Sequence, residues 1–176
     1  MTKFTGPSVS YTVVEKLNRP MNAASIRSLI ASCLPQRARW LVDNKPDDYS
    51  FYSDPRNLSA VMAEWQCDLS DVEQVPDFIV FGEYDHDEGL AHPLLVVRQS
   101  DGKVFRVDVE ADEPLVLLNS TLQAFIDTFC LLDKYLGHDR PIPADLHSLV
   151  RDLDPTVYSE SWWYNVVGSA LSAGSQ

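Results

Sequence analysis

Residues 78–136 read FIVFGEYDHDEGLAHPLLVVRQSDGKVFRVDVEADEPLVLLNSTLQAFIDTFCLLDKYL, and this stretch decides the fold. Phe78 to Phe81 is a short apolar run of β-branched and aromatic residues, the composition of an interior strand. Glu83 to His92 is acidic and reads as a loop. Pro93 to Arg98 is again almost wholly apolar and predicts a second strand. Ser100-Asp101-Gly102 predicts a tight turn, because glycine allows the positive φ that a short hairpin needs. Lys103 to Glu110 alternates: Phe105, Val107 and Val109 share one face, Arg106, Asp108 and Glu110 the other, so this strand is expected to have one wet face. Leu115 to Leu118 reads as a fourth strand. A helix follows at once. Ser120 and Gln123 fit a capping box, Leu122, Phe125, Ile126, Phe129, Leu132 and Leu136 form one apolar stripe, and Gly137 is a natural stop.

The rest of the chain adds helices around this sheet. Tyr11 to Val14 predicts a short edge strand. Asn22 is the expected N-cap of a helix carrying Ile26, Leu29, Ile30 and Cys33 on one face, ended by Leu34-Pro35. Gln36 to Tyr52 is ambiguous, with a polar turn at 44–48. Asp54-Pro55 signals a second helix with Leu58, Val61, Met62 and Trp65 at one-face spacing. Ile142 to Leu153 reads as a helix with Leu146, Leu149, Val150 and Leu153 inward, broken by Asp154-Pro155. A last helix opens near 159–161 and carries Trp163, Val166, Val167, Ala170 and Leu171. The fold class expected is α+β, with a mainly antiparallel sheet of about four to six strands flanked by helices. One domain is expected over 1–176, with frayed ends near 1–8 and 172–176.

Charge narrows the partners. The formal net charge is −12 and is uneven: residues 1–45 carry +5, residues 46–97 carry −11, and residues 98–176 carry −6. Between Asp68 and Ala91 there are eight acids and no Lys or Arg. Such a field repels nucleic acid and anionic lipid, so neither is an expected partner. It either keeps the protein soluble or attracts a basic partner. No apolar run is long enough for a membrane span, and Met1 to Pro7 lacks the apolar core of a signal peptide. Cytoplasmic location is the expectation, with Cys33, Cys67 and Cys130 as reduced thiols.

No catalytic constellation emerges, and an enzyme is not expected. Gly-rich phosphate loops and serine nucleophile elbows are missing from the sequence. Asp85, His86, Asp87, Glu88 and His92 could hold a divalent ion by residue type. The calcium-loop pattern fails at its twelfth position, where Val96 stands in place of a Glu, and a solvated acidic loop is the expected reading. No metal and no cofactor are expected. Cys33 and Cys130 read as buried structural thiols beside apolar helix faces. The candidate binding residues mix acid with aromatic, a composition suited to recognising lysine and arginine. They are Asp47, Asp48, Glu83, Tyr84, Asp85, Asp87 and Glu88, with Trp162 and Tyr164 either as interface anchors or as boundary residues covering the sheet edge.

These motifs, in this order, resemble the SUKH superfamily. The resemblance rests on Phe81-Gly82, the acidic stretch, the apolar strand, Asp101-Gly102-Lys103-Val104-Phe105-Arg106-Val107-Asp108, and Leu118-Asn119-Ser120-Thr121-Leu122 with Phe125. Asp152-Leu153-Asp154-Pro155 followed by Ser161-Trp162-Trp163 resembles the ending of the fourth SUKH group. Thr121 replaces the more usual second Ser, and Cys33-Leu34-Pro35 replaces Gly-Leu-Pro. The resemblance implies a sheet flanked by helices and a cytoplasmic immunity protein that neutralises a cognate toxin by stoichiometric binding. The toxins implied are nucleases or nucleotide-modifying enzymes, commonly basic. No catalytic residues carry over, and a monomer is expected. The alternative is an acidic secretion chaperone holding an effector protein, which would usually be a dimer.

Overall fold

The computed structural model describes residues 21–42, 45–66, 75–86, 93–109, 111–138 and 140–173. Six strands form one sheet: β1 (Arg37–Val42), β2 (Lys45–Asn57), β3 (Phe78–His86), β4 (Leu94–Arg98), β5 (Val104–Val107) and β6 (Leu115–Asn119). Their order in space is their order in sequence, and every pair is antiparallel. Among the described residues five α-helices accompany them: α1 (Ala23–Cys33), α2 (Leu58–Trp65), α3 (Leu122–Leu136), α4 (Leu146–Leu153) and α5 (Trp162–Ala173). The result is a single α+β domain. The expected edge strand at 11–14 lies outside the described residues.

The two faces of the sheet bury different things. On the inner face, α1, α3, α4 and α5 pack onto Trp40, Tyr49, Phe51, Phe81, Leu95, Val97 and Leu118. All six residues of the α3 stripe are buried, and Phe129 meets Phe51 edge-on at 4.8 Å and Trp40 at 4.7 Å between ring centres. On the outer face, α2 sets Leu58, Val61 and Met62 against Phe78, Val80, Val96 and Phe105. Trp163 of α5 reaches both edges of the sheet. Its ring lies 6.3 Å from that of Trp40 on β1, and its Nε1–H donates to Asn119 Oδ1 on β6 at 2.7 Å. The sheet therefore curls around the helices, as the twist of antiparallel ribbons favours.

Two glycines mark backbone demands. Gly102 sits at φ +73° in the β4–β5 turn, which Arg98 and Asp101 close with a forked ion pair at 3.0 and 2.6 Å. Gly82 follows a bulge in β3 where Phe81 is the extra residue. A Cβ there would stand 2.7 Å from the Ser50 carbonyl oxygen of β2, so only glycine lets the strands approach.

Several local expectations are corrected. The polar segment at 44–48 is not a turn throughout, because β2 already begins at Lys45 and Asp47 points inward. The Asp54-Pro55 signal does not open α2: β2 continues to Asn57, whose side chain caps the helix by accepting from Ser59 N–H at 2.9 Å. Ser120 and Gln123 do not form a capping box. Thr121 caps α3 instead, accepting from Ala124 N–H at 3.1 Å, while Ser120 turns to Asp154 and Gln123 to Asp127. Helix α4 starts only at Leu146, and Leu153 is exposed. The face of β5 expected to be wet is covered: Val104 is buried and Arg106 is half-buried, its guanidinium over the Trp162 ring at 5.9 Å. Cys33 and Cys130 are exposed, not buried. Their helices turn Ile30 and Phe129 inward and leave the sulfurs at the rim.

Candidate partner interface

The acidic residues of β2 and β3 come together by strand register. Side chains alternate across a strand, so Tyr49 and Phe51 go to the core while Asp48, Ser50 and Tyr52 go to the outer face. The register sets Asp48 beside Arg39 on β1 and opposite Asp85 on β3, and Ser50 between Arg37 and Glu83. This part of the outer face thus carries cross-strand rows of two arginines and three acidic positions.

Asp48 is held by Arg39, which forks onto it with Nε–Oδ1 and Nη2–Oδ2 both at 2.7 Å. These bonds hold its carboxyl below the usual range; partial burial opposes them, and the charges of Arg39 and Arg37 assist. Glu83 accepts from Tyr52 Oη at 2.7 Å. Burial and then the Glu83 carboxylate push the Tyr52 phenol well above its ordinary value. Where β2 bulges away from β3, a cavity of about 490 Å³ opens, lined by Arg37, Ser50, Tyr52, Asp54, Arg56 and Glu83 among others. Arg56 pairs with Glu64 at 2.7 Å, and Asp54 pairs with Arg27.

The remaining expected residues divide. Asp47 is 3% exposed and Tyr84 is 5% exposed, which corrects the expectation that both line a surface. Tyr84 Oη donates to Asp47 at 3.0 Å on the inner side of the sheet. Asp85 takes its strand position opposite Asp48, and Glu83 to His86 belong to β3 and not to a loop. Asp87 and Glu88 lie outside the described residues. Trp162 is half-buried and closes an aromatic stack, 5.1 Å from Tyr84 and 6.4 Å from Tyr49. Tyr164 is half exposed beside His147 at 4.9 Å. His147 Nδ1 meets Tyr158 Oη at 2.6 Å, and burial pushes the Tyr158 phenol up to about 12.

Asp48, Glu83 and the Asp85 position therefore share the outer face, while Trp162 and Tyr164 belong to the helical side. The sequence reading missed Arg37, Arg39 and Arg56. The alternation of Asp48, Ser50 and Tyr52 against Tyr49 and Phe51 carried the signal, hidden by Pro46 and the paired aspartates. Among the described residues no group of three or more His, Cys, Asp or Glu could hold a metal ion, and no helix is long and apolar enough to cross a membrane.

The family-like motifs of the C-terminal half form one buried cluster. Asp154, 4% exposed, accepts from the Ser120 backbone N–H at 2.7 Å, Ser120 Oγ at 3.0 Å, Asn119 Nδ2 at 3.3 Å and Thr156 Oγ1 at 2.9 Å. Asn119 in turn accepts from Trp163. Asn119-Ser120, Asp154-Pro155 and Trp163 are thus one device that pins α5 to the last strand.

A family model described as SUKH-4 immunity protein matches residues 21–169. The chain belongs to the SUKH-4 immunity protein family. No curated protein and no solved structure matches it. The SUKH-4 assignment supports an immunity-protein role and fits the observed six-stranded α+β architecture. The Asn119–Asp154–Trp163 cluster ties β6, the start of α3 and α5 together.

Proposed function

We propose that this SUKH-4 protein neutralises a cognate toxin domain by stoichiometric binding, without catalysis, and that the toxin is basic. The observation that supports this most is the gathering of Asp48, Glu83 and the Asp85 position on one outer sheet face of a chain with net charge −12. Nucleases and nucleotide-modifying enzymes present cationic surfaces to their substrates, and a complementary acidic face steers such a partner into encounter. Tyr52 and Arg39 keep Glu83 and Asp48 in fixed geometry, which lowers the ordering cost of binding. Asp87 and Glu88 continue the same chain segment and belong to the proposed contact. Trp162 and Tyr164 form a second proposed contact on the helical side.

The test is protection. Cells producing a candidate cognate toxin domain should recover growth when the chain is co-produced. The purified pair should elute as a stoichiometric complex by light scattering, with the free chain monomeric. Growth arrest with no complex would overturn the proposal. A stable dimer that holds an unfolded effector segment would replace it with the chaperone role.

A further inference from the structure

The two exposed cysteines are neighbours in space. Cys33 ends α1 and Cys130 lies in the middle of α3, ninety-seven positions apart, yet Cys130 Sγ donates to the Cys33 carbonyl oxygen at 3.5 Å. A carbonyl oxygen lies about 2.4 Å from its own Cα by standard bond lengths, so the Cys130 sulfur is within about 6 Å of the Cys33 Cα. The Cys33 sulfur currently rests 3.4 Å from Ser32 Oγ. It is the last helical residue, the chain leaves the helix at Leu34 in extended conformation, and bridging requires Cys33 to rotate about χ1 away from Ser32 toward α3.

We propose that Cys33 and Cys130 are a dithiol modification site, which a low-molecular-weight disulfide converts into a bridge tying α1 to α3. One protein thiolate attacks the reagent's disulfide, its S–S bond breaks, and a mixed disulfide forms as the first reagent thiol leaves. The second protein thiolate then attacks the mixed disulfide and expels the second reagent thiol. Two S–H bonds are lost, one S–S bond forms, and the two electrons reduce the reagent to two thiols.

The surroundings set the conditions. Burial first, then the nearby Cys33, Asp127 and Asp133, raise the Cys130 thiol above its ordinary value. Closure should therefore accelerate as pH rises. The bridge would anchor a helix that contributes Ile26 and Ile30 to the core, and it would close a long loop in the unfolded chain. It joins α1 to α3 on the helical side of the sheet, whereas Asp48 and Glu83 lie on the outer face, so it does not depend on the toxin-binding reading.

The test uses the full chain with Cys67→Ser, treated with oxidised glutathione at increasing pH. The expected product has lost two hydrogens by intact mass, gives a Cys33–Cys130 cross-linked peptide after digestion, and melts about 5–15 °C higher than the reduced form. Adding Cys33→Ser should leave a single glutathione adduct on Cys130. Two stable glutathione adducts with no bridge, or a bridge that lowers the melting temperature, would overturn the proposal.

Discussion

Replacing Asp154 with Ala tests the buried cluster that joins β6, the start of α3 and α5. The Asp154 side chain accepts four hydrogen bonds, at 2.7, 3.0, 3.3 and 2.9 Å. The hydroxyls of Ser120 and Thr156 can turn to water, so their loss costs little. The Ser120 N–H and the Asn119 Nδ2 are less able to do so; Asn119 is 1% exposed, and the other acceptor for its Nδ2, Thr128 Oγ1, is a distant 3.5 Å away. A buried donor left without a partner costs about 1–3 kcal/mol. Two such donors plus a small void put the expected loss at about 3–5 kcal/mol, a large share of the total stability of a domain this size. The melting temperature should fall by about 10 °C or more. Urea unfolding followed by circular dichroism measures it. Asp154→Asn keeps the shape and one acceptor and should lose less. The double variant Asp154→Ala with Asn119→Ala should lose less than the sum of the single variants, because both act in one network. A loss below about 1 kcal/mol, with additive singles, would refute the reasoning.

Phe129 is fully buried among Trp40, Tyr49 and Phe51, so Phe129→Ala should cost about 3–5 kcal/mol in the same unfolding assay; a loss well under 1 kcal/mol would mean that α3 does not pack as described. Alkaline stability should fall. Burial raises the phenols of Tyr49, Tyr52 and Tyr158, so above about pH 10 the unfolded chain sheds these protons first, and stability present below that pH declines as pH rises. Melting followed across that range with tyrosinate absorbance should show the decline, and a flat profile would contradict it. Melts with and without a chelator should coincide, and a drop on chelation reversed by zinc or calcium would reveal a metal site.

Where local chemistry and tertiary contact agree, the sequence was legible. The strand segments of β3, β4, β5 and β6, the Gly102 turn and the α3 stripe all follow from hydrophobic period and turn residues. Caps were harder. Ser120 fits a capping box locally, but Asp154, far away in sequence, claims its hydroxyl, and Thr121 takes over the cap. Asp54-Pro55 has the form of a helix start, yet strand pairing carries β2 on to Asn57. The candidate site was half legible. The acid cluster was visible, but its division between two sides of the sheet depends on β2, whose alternation is masked by Pro46 and Asp47-Asp48. Asp47 and Tyr84 looked like surface residues because their mutual hydrogen bond, which allows them to be buried, cannot be read from composition.

The most direct measurement is the association rate between this protein and a cognate toxin domain that it protects against, taken across salt concentrations for the natural chain and for a variant carrying Asp48→Asn, Glu83→Gln and Asp85→Asn. The account predicts fast association that slows as salt rises, and a variant that associates more slowly with a flatter salt dependence. Closely paired carboxylates should add about 2–5 kcal/mol of lost affinity through faster dissociation. Association indifferent to salt, with the variant protecting cells as well as the natural chain, would contradict the acidic sheet face as the binding surface.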